Sequence, residues 1–198
     1  RDCGGGARPG GAPPLQVRPA VVLFDAGNTL VFLDYPRLAR GVGDALGLEL
    51  DASALRAEAA GAALTMERRE LRTDRERGAA FLLALFERVG VPASREPELR
   101  AALLAMHAER HLWTGVDPRT PAALARLRDA GIRTGVVSNG DGRASAALEA
   151  AGLLGHMEVV VDSGVVGVEK PDPRIFEIAL GQMGVAAEGA VYVGDLYE

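Results

Sequence analysis

Four apolar residues that run straight into a carboxylate constrain this chain most: Val21-Val-Leu-Phe24 is followed at once by Asp25, and then by Ala-Gly-Asn-Thr29 and Leu30. So short a run, β-branched at its start, reads as a strand buried on both faces of a parallel sheet. The polar residues after it are turn chemistry. Ligands of open α/β sheets sit beyond the carboxyl ends of the strands. Asp25 therefore faces a crevice, with the Thr29 hydroxyl four residues further on. An Asp at a strand end also forms Asx-turns, so this stretch alone leaves both readings open.

The second half of the chain repeats the pattern. A strand over 132–137 ends at Ser138-Asn139-Gly140, and a helix over about 141–151 stops at Gly152. Val159-Val-Val161 ends at Asp162-Ser163, and a glycine-rich stretch leads to Lys170-Pro-Asp-Pro173. Asp172 is the expected cap of the next helix, with Pro173 at its first position, as Thr120-Pro121 opens an earlier one. Ala190-Val-Tyr-Val193 is a last strand, ending at Gly194-Asp195. Strands alternating with helices predict βαβ units, hence an α/β fold with a Rossmann-like parallel sheet.

Val31-Phe-Leu33 continues apolar and Asp34-Tyr-Pro36 makes a break; from there to about Trp113 the pattern is helical, with no strand signal. Leu55, Ala59, Ala62 and Met66 recur at helical spacing, then Leu82, Leu85, Phe86 and Val89, then Leu99, Leu103 and Met106. Thr73 and Glu76 form a capping box for the helix that carries Leu82 to Val89, and the charges at 67–70 read as a solvated face. The expected organisation is a core over 20–34 and 117–198 with an all-helical insertion over 35–116. Residues 1–19 are rich in Gly and Pro and read as a disordered leader. The chain opens on Arg1 rather than Met and closes at Glu198, just past a strand. It is therefore expected to be a fragment, with Ala190–Val193 an exposed edge.

Composition excludes more than it assigns. A formal charge of −5 gives no reason to expect nucleic acid or an anionic membrane as a partner. One cysteine, Cys3, rules out an internal disulfide and a cysteine metal cluster, and fits a reducing cytoplasm. No apolar stretch reaches the roughly 20 residues of a membrane helix. His107 and His111 stand at i, i+4 on one expected helix face, a zinc-compatible spacing with no third ligand evident. Trp113 reads as packing near a hinge, Asn28 as a turn residue, and Arg37 and Arg40 as candidates to reach a substrate.

The chemistry collects at the strand ends. Asp25 and Asp195 can hold Mg²⁺, a hard ion that prefers oxygen. An Asp25 oxygen can attack phosphorus to give an aspartyl-phosphate. Ser138, the backbone N–H groups beyond Gly27 and the ammonium of Lys170, the only lysine in the chain, can stabilise phosphoryl oxygens.

In this order, Phe24-Asp-Ala-Gly-Asn-Thr-Leu30, Val137-Ser-Asn139, Lys170-Pro-Asp-Pro173 and Val193-Gly-Asp195 resemble the motifs of the haloacid dehalogenase-like hydrolase superfamily, over about residues 20 to 198. The resemblance implies a Rossmann-like core with a helical cap of the C1 type. It implies Asp25 as nucleophile and metal ligand, the Gly27 carbonyl and Asp195 as further Mg²⁺ ligands, and Thr29 as support for the nucleophile loop. Ser138, with Asn139 beside it, and Lys170 would bind the phosphate of a small-molecule phosphoester. The phosphatases of this family carry an acid/base Asp where Gly27 stands here. They also place an acidic residue four or five positions past the equivalent of Asp195, a spacing Glu198 does not match. Two alternatives stay open, a non-catalytic binding protein and a 2-haloacid dehalogenase. Against the dehalogenase, those enzymes carry an aromatic residue at the position of Gly27 and Tyr at that of Phe176, and lack the Gly194-Asp195 pair. The phosphonate-cleaving relatives use a cap lysine that is absent here.

Overall fold

A computed structural model describes residues 18–67, 70–71 and 73–195. The 1–17 part of the expected leader, Arg68 and Arg69 of the expected solvated face, and Glu198 lie outside the described residues.

Among the described residues, four parallel strands form the main sheet, in the order β5-β4-β1-β6: β1 (Val21–Phe24), β4 (Arg133–Ser138), β5 (Val159–Asp162) and β6 (Ala190–Val193). β1 lies inside it, and Val21, Val22 and Leu23 are buried, as a continuous apolar strand covered on both faces must be. Alternate residues feed opposite cores. Val21, Leu23 and Val137 join Ile175, Ala179 and Met183 of α8 (Arg174–Met183) on one face. Val136 joins Leu124 of α5 (Thr120–Asp129) and Leu148 of α6 (Ala144–Ala150) on the other.

The register aligns the carboxyl ends. Phe24 stands opposite both Val136 and Val193, and Ser138 opposite Asp162. The Asp25 amide extends the ladder by one bond, donating to the Val193 carbonyl at 2.8 Å. β6 is the edge next to β1, and Val191, Tyr192 and Val193 are exposed on it.

Helices α1 (Tyr35–Leu46), α2 (Ala52–Ala63), α3 (Asp74–Arg88) and α4 (Glu96–Glu109) fall between β1 and β4 and bury their own cluster, with Leu38, Val42, Leu55, Leu85 and Phe86 at its centre. The capping box is present: Thr73 Oγ1 accepts from the Glu76 amide and Glu76 Oε2 accepts from the Thr73 amide. Asp34 caps α1 by accepting from the Arg37 amide at 3.1 Å.

Several local expectations are corrected. At the two limits of the span read as helical, a pair of strands was not expected: β2 (Phe32–Leu33) pairs antiparallel with β3 (Trp113–Gly115). Strands this short carry no period, and only the return of the chain at Trp113 pairs them. α6 begins at Ala144 rather than near 141, because the Asp162 carboxylate takes the amides of Gly142 and Ala144 and holds 139–143 as a loop. The stretch before Lys170 holds a short helix, α7 (Ser163–Val166), capped by the same Asp162 through the Gly164 amide. Thr120 and Asp172 are not the caps: Arg119 and Pro173 take that position, and Asp117 and Asp172 accept the amides of Arg119 and Arg174 as Asx-turns. α4 ends at Glu109 and Arg110 is extended, so His111 lies off the helix rather than on a face shared with His107.

Candidate active site

Asp25 lies where the inner strand stops, its side chain 13% exposed. The loop beyond it closes on its own backbone: the amides of Leu30 and Val31 donate to the Ala26 carbonyl and that of Asn28 to the Val31 carbonyl. Asn28 has φ of 55°, a left-handed conformation that Asn tolerates, so its turn role is met. Among the described residues Thr29 Oγ1 is buried without a hydrogen-bond partner, and the hydrogen bonds that close the loop are those of the backbone.

Lys170 crosses 145 residues to reach Asp25, Nζ to Oδ1 at 2.9 Å, and also donates to the Tyr192 hydroxyl at 2.8 Å. Its side chain is 7% exposed. Asn139 positions it from both ends of its amide: Oδ1 accepts from the Lys170 amide at 2.7 Å and Nδ2 donates to the Lys170 carbonyl at 3.0 Å. Asn139 therefore spends its side chain on the lysine's backbone. Ser138, buried at the end of β4, occupies the same rim.

Burial pushes the Asp25 carboxyl up, against the pull of the Lys170 ammonium, and the charge of Asp195 adds to the rise. Burial works to lower Lys170, but Asp25 and the Tyr192 hydroxyl outweigh it and the ammonium is held above its ordinary range. Both groups are thus raised: at Asp25 burial outweighs the lysine, and at Lys170 the carboxylate and the Tyr192 hydroxyl outweigh burial. Asp195 is exposed, two residues past the end of β6.

The charge of Asp195 adds to the cost of ionising Asp25, and a divalent cation beside the two carboxylates would relieve it. The donors on this rim are all oxygen, the set Mg²⁺ prefers. The Gly27 carbonyl, among the described residues, is left out of the loop's own hydrogen bonds. Asp25, Gly27 and Asp195 thus fit the ion.

Gly27 faces the Trp113 indole: a Cβ there would lie 3.9 Å from Cδ1 and Nε1, ordinary contact. Trp113 packs against both the helical cluster and the sheet, and its Nε1 donates to Asn28 Oδ1 at 3.4 Å, so it serves as packing at the junction. Arg37 does not reach this rim. It is spent on the end of α4, donating to the carbonyls of Met106, Arg110 and His111. Arg40 is exposed.

The family model for haloacid dehalogenase-like hydrolases matches residues 19–198. The chain belongs to that family. Among the curated relatives of this haloacid dehalogenase-like hydrolase is a phosphoserine phosphatase of Thermus thermophilus, 39% identical over 116 residues, which make up 58% of this chain and 45% of that protein. A glyceraldehyde 3-phosphate phosphatase of Methanopyrus kandleri is 37% identical over 113 residues, 56% of this chain and 48% of that one. The chain thus spans about half the length of the curated relatives it matches. The crystal structure of the HAD-hydrolase YfnB of Bacillus subtilis, bound to magnesium, superposes with a TM-score of 0.58 at 19% identity, covering 90% of this chain and 81% of that one, and shares the fold.

Reading the sequence missed two residues of this hydrolase's site. Tyr192 holds the lysine and packs edge-on against Phe176, ring centroids 5.1 Å apart. Its place in a strand one residue short of the last motif was the available signal. Asp162 is 4% exposed and accepts from the amides of Gly142, Ala144 and Gly164, shaping the loop after Ser138. Its position at a strand end was visible; its partners were not.

Proposed function

We propose that this chain is the phosphoryl-transfer part of a Mg²⁺-dependent phosphatase that acts on a small phosphorylated metabolite through an aspartyl-phosphate on Asp25. The observation that carries the reading is the near-buried Asp25–Lys170 pair on the same rim as Ser138 and Asp195. Lys170 donates to one oxygen of Asp25, which leaves the other to attack phosphorus. The Oδ–P bond forms as the bond from phosphorus to the leaving oxygen breaks, and water then releases phosphate. Lys170 and Ser138 stabilise charge on the phosphoryl oxygens. A bound Mg²⁺ supplies charge neutralisation between the carboxylates and the phosphate. Helices α1–α4 act as the cap over 35–116 that selects the substrate.

Gly27 offers no carboxyl to protonate a leaving group, a role worth roughly 10²–10⁴-fold. Substrates that leave readily are therefore favoured. The same glycine motivates the second reading, a binding protein on this scaffold.

Hydrolysis of p-nitrophenyl phosphate with and without Mg²⁺ tests this, because an aryl leaving group needs little protonation. Mg²⁺-dependent turnover lost in Asp25→Asn supports the phosphatase. Turnover that appears only in Gly27→Asp supports the binding protein, and turnover of 2-chloropropionate alone supports the dehalogenase.

A further inference from the structure

Three side chains far apart in sequence meet where the helical layer touches the sheet. His107 stands in the last turn of α4, His111 follows that helix, and Asp141 belongs to the loop after β4. Each offers a nitrogen or a carboxylate oxygen, and these atoms lie within 4.8 Å of one another. His107 Nε2 is 2.8 Å from Asp141 Oδ2, and the two imidazole rings are 4.7 Å apart between centroids. We infer that His107, His111 and Asp141 form a transition-metal site of the zinc class, tying α4 to the loop that follows Ser138-Asn139.

Two imidazoles and one carboxylate are a borderline-soft donor set. It selects Zn²⁺ and its neighbours over Mg²⁺, and leaves a fourth position for water. At metal–ligand distances of about 2.0–2.1 Å, tetrahedral ligands stand about 3.3 Å apart. The 2.8 Å contact must open by about 0.5 Å, and the widest separation must close by about 1.5 Å, to meet that spacing. Asp141 is exposed and both histidines are only partly buried, so side-chain rotation supplies the movement. Two arginines oppose the ion: Arg143 donates to the His107 carbonyl at 2.5 Å, and Arg37 to the His111 carbonyl at 3.2 Å.

His111 makes the binding observable. Its Nδ1 accepts from the Trp113 amide at 3.2 Å, so in the neutral ring the proton sits on Nε2. An ion at Nδ1 takes that lone pair, and an ion at Nε2 moves the proton to Nδ1. Either way the contact with Trp113 is released. Trp113 is the only tryptophan in the chain, and its ring is 5.9 Å from that of His111. Its emission is a built-in reporter of this site.

The site does not rest on the phosphatase reading. It is tested in Asp25→Asn protein, which weakens the other cation site, by titrating Zn²⁺ while following Trp113 fluorescence and calorimetric heat. One equivalent of Zn²⁺ should bind saturably with a change in emission, and excess Mg²⁺ should not displace it. His107→Ala should weaken binding about 100-fold or more, and Asp141→Asn, an exposed and near-isosteric change, at least about 10-fold. Absence of saturable Zn²⁺ binding, or binding that both substitutions leave intact, overturns the assignment.

Discussion

Replacing Lys170 by Met is the most informative single change. The ammonium and Asp25 are 2.9 Å apart with side chains 7% and 13% exposed. At an effective dielectric of about 20, unit charges at that distance attract by about 6 kcal/mol. Removing one partner of such a pair leaves an uncompensated charge and costs about 3–5 kcal/mol. The cost is bounded by protonation of the orphaned carboxyl, at about 1.4 kcal/mol per pH unit. Burial already raises Asp25 above its ordinary range, and losing Lys170 raises it further. A carboxyl whose folded pKa is raised withdraws stability as pH climbs from its unfolded value through its folded one. The destabilisation should therefore be full at neutral pH and shrink as the solution is acidified towards the ordinary carboxylate range. Urea unfolding without divalent cations, repeated across that window, measures this. Adding Asp25→Asn to Lys170→Met should restore most of the loss, because neither charge is then buried alone. A loss below about 1 kcal/mol, or one of equal size at acid and neutral pH, would refute the claim that this pair is desolvated.

Gly27→Asp should raise the rate on alkyl phosphates by roughly 10²–10⁴-fold while changing aryl phosphate turnover far less, since the new Cβ meets only the Trp113 edge at 3.9 Å; equal gains on both substrates would speak against a missing acid. Arg37→Ala should cost about 3 kcal/mol by leaving the carbonyls at the end of α4 without their donor. Thermal denaturation checks it, and a changed KM with unchanged stability would return Arg37 to the substrate. Gly135→Ala should destabilise by about 1–3 kcal/mol, because its Cβ would lie 2.7 Å from Val159 Cγ1 and 3.0 Å from a Leu23 methyl in the middle of the sheet. Chemical denaturation with an unchanged slope is the expected result.

The sequence by itself determined the four strands of the parallel sheet, their shared edge and the family, because these depend on short-range features. An apolar run that ends at a polar group, as at Asp25, Ser138, Asp162 or Asp195, is legible wherever it falls, and four such ends in order leave little freedom in the sheet. Membership in the haloacid dehalogenase-like hydrolases, expected from those motifs, is borne out by the family match over residues 19–198. Helix starts were less secure. Thr120 and Asp172 were expected as caps, but Asp117 and Asp172 instead take the amides of Arg119 and Arg174, a choice set by the loop around each. Tertiary structure alone decided the polar partnerships. Asn139 holding Lys170, Asp162 gathering three amides, Tyr192 on the lysine and Asp141 completing the histidine pair all join residues that no local period relates. The physical reason is that an apolar face announces itself by repetition, whereas a polar contact is one donor meeting one acceptor. Its partner is chosen only when the packed elements bring the two within about 3 Å of each other.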